Sequence, residues 1–408
     1  MDIAPERCQK RTQTYNSMRK RFPRAHAGLE SSIGSSHAVD CNEGAMKIYE
    51  MPKRLYALDT IRGVAAIVVI FWHWQHFFYV GSDASNVPWD SQPFYPYLFM
   101  LYKYGWLAVD FFFALSGYVF AWLFADKIAT GKISLATYAL DRISRLYPLH
   151  IVTFAAVFFL QFLYATSHTA YFVFQLNDLY HAFLNLFLIP AWGFEKGWSF
   201  NAPIWSVSVE VFLYIAFGVG CLLGRTRLLA FAVLIAIGYL LPEQFGKIAV
   251  GLREFFIGGF VYFAISHTLP RIGAQPTAAV WTTLALIAWV YAAKCGVSDT
   301  SRYIIFPATV GMFAAIGIAK RNFLKNGAWL GDISYSVYLL HFPLQIVFAI
   351  VCDWLGYQRT ILLSPFAMAA FFAILIPAAA FTFVAFEHPT KNWLRANFLR
   401  HRQISPAE

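Results

Sequence analysis

The stretch Arg54–Tyr79, RLYALDTIRGVAAIVVIFWHWQHFFY, decides the fold, because it is apolar over a length that crosses a bilayer and yet carries Asp59, Arg62 and His73. A charged side chain at the centre of a membrane helix costs roughly 2.5–3.5 kcal/mol on insertion scales, so such residues usually have a function. Arg62 and His73 are eleven positions apart, which on a helix is about three turns, ~20° off alignment and ~16 Å along the axis. The pattern predicts one helix face with an arginine near one end and an imidazole about half a membrane away.

The composition is that of an integral membrane protein. Of the 408 residues, 59% are hydrophobic and 13% are charged, and the mean hydropathy is +0.52. A soluble domain carries about 25% charged residues. The net charge of +10 is explained by basic cytoplasmic loops, so it does not indicate nucleic-acid binding. The five cysteines are scattered without metal-ligand spacing, and neither a disulfide framework nor a metal site is predicted.

The apolar segments predict an all-α fold, a polytopic integral membrane bundle of about ten transmembrane helices. Most of the 32 Lys and Arg residues fall in segments that this arrangement places inside, so both termini are predicted to be cytoplasmic. We expect the chain in the lipid bilayer of a bacterial cytoplasmic (inner) membrane. The predicted spans are residues 57–80, 105–124, 147–166, 204–223, 228–241, 248–266, 278–295, 303–319, 334–352 and 361–386.

Three segments are predicted along the chain. Residues 1–50 are polar and basic and are expected to form a disordered cytoplasmic tail, residues 51–395 are expected to form the transmembrane domain, and residues 396–408 a cytoplasmic tail. The alternative for residues 1–50 is an upstream extension, with Met46 or Met51 as the start of the protein. No apolar core precedes a small-residue cleavage site near the start, so a secretory signal peptide is not expected. Residues 178–192 are apolar but shorter than the ~20 residues that span a bilayer, and we expect an interfacial or re-entrant piece there.

His73 is the sharpest candidate for chemistry. An imidazole suits a general base that takes the proton from a hydroxyl acceptor, and it also suits a transient acyl carrier. The alternative is a structural histidine bonded to a backbone carbonyl. His76 is a rival, but at three residues further on it points ~60° away from the Arg62 stripe. Asp59 lies within reach of Arg62, and the two form either a structural ion pair or a site for an anionic group.

Two further arginines, Arg142 and Arg145 in DRISRLYPLH, flank the predicted start of the third span. Residues three apart on a helix project together, and two guanidinium forks can clamp a phosphate or pyrophosphate. The alternative is ordinary positive-inside anchoring. Pro148 is expected within the first turn of this helix, where proline is tolerated.

A second group of candidates lies on the predicted fourth and ninth spans. Glu210, in WSVSVEVFLY, is placed near the outer end of its helix, where a carboxylate beside Trp205 suits hydrogen bonding to sugar hydroxyls. Its alternative is an ion pair with a basic neighbour. Ser206 precedes Glu210 by one turn, and Tyr338 precedes His341 by one turn in SYSVYLLHFP. For His341 the alternative is again a buried histidine bonded to a carbonyl.

Taken together and in order, the motifs point to a family. The chain resembles the membrane acyltransferase-3 family, also called OafA/YrhL-type O-acyltransferases. The motifs that carry the resemblance are, in order, LDTIRGVAAIVVIFWH, GWLAVDFFFALSGYVF, RISRLYP, WSVSVE, LREFFIGG, LGDISYSVYLLHFPL and FEHP. The resemblance covers residues 54 to about 395. In such proteins an arginine and a histidine eleven apart on the first helix are taken as functional, and they match Arg62 and His73.

The resemblance implies transfer of an acyl group, most often acetyl, from cytoplasmic acetyl-CoA to a hydroxyl of an envelope or exported saccharide, without a metal. Val211 follows Glu210 where the family usually has a second carboxylate or a glutamine. Many relatives also carry a C-terminal esterase-like domain of the SGNH type, which is not expected here. The predicted site residues are Asp59, His73 and Glu210 for catalysis, Arg62, Arg142 and Arg145 for acyl-CoA binding, and Trp205, Ser206, Tyr338 and His341 for substrate binding.

A second function class stays open at this point. Asp59, Arg62 and His73 also suit the proton-coupled site of a secondary transporter or flippase. The usual marks of such a protein are repeat symmetry and helices broken by Gly or Pro at matching positions, which the sequence lacks. The acceptor stays open as well, as do acetyl against succinyl or another short acyl group and direct attack against an acyl-histidine relay.

Overall fold

The computed structural model describes residues 51–85, 87–201, 203–298 and 300–404, and Arg54–Glu408 forms one compact unit. The predicted tail at residues 1–50 lies outside the described residues. The main helices are α1 (Tyr56–His73), α2 (Tyr95–Tyr104), α3 (Ala108–Phe120), α4 (Leu135–Ala165), α5 (Leu179–Leu186), α6 (Ile204–Leu222), α7 (Arg227–Leu240), α8 (Gly246–Ile272), α9 (Ala274–Cys295), α10 (Arg302–Ala319), α11 (Ala328–Trp354), α12 (Pro365–Thr382) and α13 (His388–Ile404).

The prediction of an all-α polytopic membrane fold is confirmed. Within the described residues, nine helices are long and apolar enough to cross a membrane. A helix also occupies the remaining predicted span, but this helix, α7, has only 14 residues. At 1.5 Å per residue it extends about 21 Å, which is less than the ~30 Å hydrocarbon core of a typical bilayer. The segment predicted to be too short to span, residues 178–192, contains only the eight-residue helix α5 and a 3₁₀ turn.

The packing directions of neighbouring helices show that α7 nevertheless crosses the bundle. α7 and α8 run antiparallel. The rings of Phe231 and Phe256 have their centroids 4.9 Å apart, whereas Gly238, further along α7, lies against the backbone of Ala249, which is earlier in α8. The chain therefore crosses the bundle along α7 and crosses it again in the opposite direction along α8.

The pairing of α1 with α11 also indicates that α7 crosses the bundle. Near their first turns Arg62 Nη2 donates to the carbonyl of Gly331 (2.7 Å). Two turns or more further on, His73 Nδ1 lies 2.8 Å from His341 Nε2. The two helices are therefore parallel and enter the membrane from the same side. Counted from α1 and with α7 included, eight membrane helices come before α11. Each crossing reverses the direction of the chain, so α1 and α11 can be parallel only if this number is even.

The first and last membrane helices meet at one end of the bundle, which we call the basic end. Arg62 of α1 and Lys391 of α13 line the same cavity there, and Arg395 of α13 pairs with Asp141 of α4 (2.9 Å). The opposite end, where His73 and its neighbours lie, is called the histidine end. That the basic end faces the cytoplasm stays a prediction from the charge bias.

The close approach of α1 and α11 depends on two glycines. A Cβ on Gly331 would lie 2.3 Å from the Asp59 carbonyl oxygen, and a Cβ on Gly63 would lie 2.3 Å from the Leu330 Cβ. Such distances are far inside van der Waals contact, so only glycine permits this separation of the two backbones. The spacing of the two helices at the basic end is thus set by the residues next to Arg62.

Two predicted helix boundaries are wrong, and both errors affect candidate residues. α4 begins at Leu135, twelve residues before the predicted start, because Ser134 caps it by accepting a hydrogen bond from the Thr137 amide (3.2 Å). Arg142 and Arg145 therefore lie inside the helix rather than at its start, and Pro148 lies in its interior rather than in its first turn. At the other end of the bundle, α1 ends at His73 and continues as a 3₁₀ helix over Trp74–Phe78.

Candidate active site

Among the described residues, two of the cavities lie at opposite ends of the bundle and hold most of the predicted site residues. The basic cavity, of about 470 Å³, is lined by the cationic residues Arg62, Lys127, Arg142, Arg145, Lys391 and Arg395 together with the carboxylates Asp141 and Glu210. The histidine cavity, of about 700 Å³, holds His73 and His76. The structure thus separates the predicted arginine and histidine, which share one helix face, into two compartments.

The arginines of α4 are held by aromatic rings and carboxylates. The Arg142 guanidinium lies over the rings of Phe120 (5.0 Å) and Phe124 (4.8 Å) and bonds to Asp141. These contacts keep a delocalised cation in an apolar setting. The cations of the basic cavity outnumber its carboxylates, so the cavity suits an anionic ligand.

Arg145 faces the same cavity, and its neighbouring charges come from several helices. The carboxylates that act on it electrostatically are Glu387, Glu210 and Asp141. Glu387, just before α13, is itself bonded to the Ser336 hydroxyl of α11 (2.8 Å). Arg145 therefore sits where α4, α6, α11 and the segment before α13 converge.

Arg62 is fixed from both sides by α1 and α11. Asp59 Oδ1 lies 3.3 Å from Arg62 Nη2, and the same nitrogen donates to the Gly331 carbonyl. Asp59 also accepts from Arg54 Nε (2.5 Å) and does not line either cavity. Its contacts are those of a residue that positions Arg62, although the sequence suggested a catalytic role.

Glu210 lies in the basic cavity rather than near the histidines, which differs from the placement expected from sequence. Its Oε1 accepts hydrogen bonds from the hydroxyls of Ser116 (3.2 Å) and Tyr214. The basic residue Arg253 is engaged elsewhere, over the rings of Tyr239 and Tyr303. The difference arises because Glu210 and Ser206, one turn earlier, lie on the face of α6 that lines the basic cavity.

Three imidazoles are grouped at the histidine end. His73 Nδ1 is bonded to Nε2 of His341 at 2.8 Å, and its ring stacks on His76 with centroids 4.8 Å apart. His341 is fully buried and does not line either cavity. The structure therefore places it behind His73 as seen from the histidine cavity, and its predicted role in substrate binding stays a prediction. Gln345, one turn further along α11, donates to the His73 carbonyl (2.8 Å).

The bonding pattern indicates which nitrogen of His73 is available. His73 Nδ1 is occupied by its 2.8 Å contact with His341 Nε2, and the tautomers of the two rings set which nitrogen donates. In the tautomer that donates from Nδ1, the lone pair of His73 lies on Nε2, on a residue that lines the histidine cavity. This is the arrangement that a general base requires.

The wall of the histidine cavity is rich in aromatic rings. Trp205, at the start of α6, lines it together with Trp72, Trp106, Trp198 and Tyr79. The ammonium of Lys247 lies 3.6 Å from the centroid of the Trp198 ring and is paired with Glu195. Flat apolar faces beside hydrogen-bonding groups match the two faces of a sugar ring or another amphipathic ring.

The two cavities meet at Tyr338. This residue and Val109 are the side chains that line both. The Tyr338 hydroxyl lies 2.7 Å from Ser206 Oγ, which in turn donates to the Pro203 carbonyl (3.0 Å). Ser206 lines the basic cavity, whereas its neighbour Trp205 lines the histidine cavity. The tryptophan–serine motif thus contributes one side chain to each compartment.

Sequence reasoning missed several residues of the site. Lys391 and Arg395 look like an ordinary basic tail after a last span, and nothing in their spacing shows that α13 packs against α4. His76 was assigned to another face because an α-helix was assumed through Trp74, and the change to a 3₁₀ helix brings its ring onto His73 instead.

These features define a class: an integral membrane protein with a buried polar site between a cationic and an aromatic cavity. A family model described as an acyltransferase domain matches residues 55–386, which is most of the chain. The chain belongs to this family, the acyltransferase-3 family of membrane proteins, and the resemblance drawn from its motifs is confirmed.

The individual relatives that match the chain share a modest fraction of identical residues with it. The chain is 36% identical to "Protein 2 in picA locus" of Rhizobium radiobacter over 26% of its own length and 44% of that protein. It is 23% identical to ORF330 of Acidianus two-tailed virus, whose name proposes an acetyltransferase, over 63% of its length and 78% of that protein. It is 29% identical to acyltransferase MdmB of Streptomyces mycarofaciens, over 41% and 40% respectively. The chain thus spans less than half the length of the first and third of these. No solved structure matches it significantly.

Proposed function

We propose that this protein is a membrane O-acyltransferase of the bacterial inner membrane, which moves an acyl group, most simply acetyl, from acyl-CoA to a hydroxyl of an envelope or exported saccharide. The observation that carries the proposal is the junction of the two cavities at Tyr338, with arginines on one side and His73 on the other. A donor and an acceptor that enter from opposite faces of a membrane need such a meeting point.

The basic cavity is the donor site in this proposal. CoA carries several phosphate charges at one end and its thioester at the end of a long flexible arm. Arg62, Arg142 and Arg145 supply forked donors for phosphate groups, and Lys391 and Arg395 add charge at the mouth. The arm then extends along α1 toward Tyr338. The arginine and histidine of α1 are ~16 Å apart along the helix axis, a separation that such an arm can cover.

The histidine cavity is the acceptor site. A saccharide ring stacks on the tryptophan faces there and presents a hydroxyl to Nε2 of His73. His73 takes the hydroxyl proton as the oxygen attacks the thioester carbonyl, the carbon–sulfur bond breaks, and the thiolate of CoA recovers the proton. The products are an O-acyl ester and free CoA, with no net change in protons. His341 stabilises the imidazolium that forms by accepting from its Nδ1.

A histidine substitution tests the proposal. Cells that produce the wild-type chain are fed labelled acetate, and alkali-labile label is counted in envelope and exported saccharide. Because general-base catalysis contributes roughly 10²–10⁴-fold, His73→Ala is expected to lower the ester content by a factor in that range. His267→Ala, which changes an exposed histidine of α8, serves as the matched control. Wild-type ester content in His73→Ala at equal membrane abundance would contradict the proposal.

The same assay separates this function from the transporter alternative. An acyltransferase leaves label covalently bound to glycan, whereas a carrier moves solute without forming an ester. The family match favours the acyltransferase.

A further inference from the structure

The barrier between the two cavities is apolar and aromatic. Val109 and Tyr338 line both cavities, and Phe112 of α3, which lines the basic cavity, packs edge-on against the Tyr338 ring with centroids 5.9 Å apart. Tyr338 is 7% exposed. These three side chains, which we call the barrier, contain one polar group, the Tyr338 hydroxyl.

That hydroxyl is held by a single contact, its 2.7 Å bond to Ser206 Oγ. Because Ser206 donates to the Pro203 carbonyl, its oxygen accepts from the tyrosine, and the ring of α11 is tied to α6. A neutral hydrogen bond of this kind contributes about 1 kcal/mol net, so the ring is fixed at rest but can be displaced by a bound ligand. This bond alone therefore does not prevent a bound substrate from displacing the Tyr338 ring.

None of the three barrier side chains is charged. Arg62, Arg142, Arg145 and Glu210 line only the basic cavity, and His73 lines only the histidine cavity. The charged residues Asp110, Arg302 and Lys247 also line the histidine cavity, where Arg302 pairs with Asp110 (3.2 Å) and Lys247 pairs with Glu195. An acyl group that passes from one to the other must leave charged surroundings and pass between valine, phenylalanine and tyrosine side chains. Moving an ionised carboxylate into such surroundings without a partner is strongly unfavourable.

We propose that the barrier of Val109, Phe112 and Tyr338 selects the acyl group, admitting short uncharged groups such as acetyl and excluding longer or carboxylate-bearing ones such as butyryl and succinyl. This inference rests on the proposed function. The barrier acts by ring volume and by the lack of a polar partner, and it also keeps water away from the thioester. Tyr338 is thus a specificity-determining residue rather than only a wall of a substrate pocket.

A competition between donors tests the inference. Inside-out membrane vesicles that contain the full chain are given labelled acetyl-CoA, butyryl-CoA or succinyl-CoA, and alkali-labile label in the glycan fraction is measured for each. Two added methylenes in a tight apolar site change discrimination roughly tenfold or more, so the wild type is expected to prefer acetyl over butyryl by at least that factor. Tyr338→Ala is expected to bring the ratio close to one, and Tyr338→Phe, which keeps the ring, is expected to retain the wild-type preference.

The outcomes distinguish the inference from the proposed function. Tyr291→Ala, a change to an exposed tyrosine of α9, controls for the loss of a ring elsewhere in the membrane. Equal transfer of acetyl and butyryl by the wild type, or an unchanged ratio in Tyr338→Ala, would overturn the role of the barrier. Absence of acetyl transfer by the wild type itself would instead contradict the proposed function. If Tyr338→Ala loses all transfer, Val109→Ala is the second test, and it is expected to relax the preference with less disturbance.

Discussion

Replacing Gly331 with alanine should disable the site from a distance, through the spacing of α1 and α11. The new Cβ would lie 2.3 Å from the Asp59 carbonyl oxygen, whereas ordinary van der Waals contact begins at 3.4 Å. The two backbones must therefore separate by about 1.1 Å, and overpacking of this kind costs roughly 1–3 kcal/mol of stability. Because Gly331 is neither a cavity residue nor titratable, a loss of activity reports on the spacing of α1 and α11, which also sets the contact between Arg62 and the Gly331 carbonyl.

The consequence for the histidines follows from treating the two helices as rigid. The bond between His73 Nδ1 and His341 Nε2 is 2.8 Å, and the same separation would lengthen it to about 3.9 Å, beyond the range of a hydrogen bond. A displacement of about 1 Å in a catalytic group can cost 10²-fold in rate. We expect Gly331→Ala to lower transfer by about that factor while the protein remains inserted.

The assay counts alkali-labile acetyl label in saccharide per unit of folded protein, with folding measured by size-exclusion chromatography of the detergent-solubilised chain. Gly259→Ala is the matched control, because its Cβ would lie 3.7 Å or more from its nearest neighbours and Gly259 is also a buried helical glycine. Normal activity of folded Gly331→Ala would refute the argument that this helix spacing sets the imidazole pair. Equal losses in both variants would also refute it.

Two further predictions concern the two cavities separately. Arg145→Ala should raise the KM for acyl-CoA roughly tenfold or more, because a hydrogen bond to a charged group contributes about 1.5–3 kcal/mol. The KM of Arg145→Lys should lie between those of the wild type and Arg145→Ala. An unchanged KM of Arg145→Ala in steady-state kinetics would argue against donor binding at this residue. His341→Ala should lower kcat by roughly tenfold or more with little change in the KM for the donor, because it removes the acceptor that stabilises protonated His73. A change confined to KM would contradict the role of His341 in positioning His73.

The first helix could be read from sequence almost completely. Its apolar length and the spacing of Arg62 and His73 predicted a spanning helix with two polar positions on one stripe, and the structure has both on α1, near opposite ends. The relation between those residues and the rest of the chain could not be predicted. That His341 lies behind His73 depends on α1 and α11 being neighbours and parallel, which is a property of the packing and not of either segment.

The depth of a helix in the membrane and its rotation about its axis also could not be predicted from the sequence. Glu210 was expected to face the acceptor because WSVSVE begins near the outer end of a span. One residue of rotation, however, decides whether a side chain enters one cavity or the other, and Trp205 and Ser206 do divide in this way. A single sequence gives the period of a membrane helix but not its rotational setting when apolar residues surround it on all sides.

The short helix α7 has a consequence for the membrane itself. Its length of about 21 Å is some 9 Å less than the hydrocarbon thickness of an average bilayer, so lipids beside it must compress or its ends must draw in polar headgroups. Such hydrophobic mismatch costs fractions of a kcal/mol per Å, in total on the order of a few kcal/mol. α7 lines neither cavity, so this strain falls on the bundle as a whole. We therefore expect the acyl-chain length of the surrounding lipids to affect the stability of the protein.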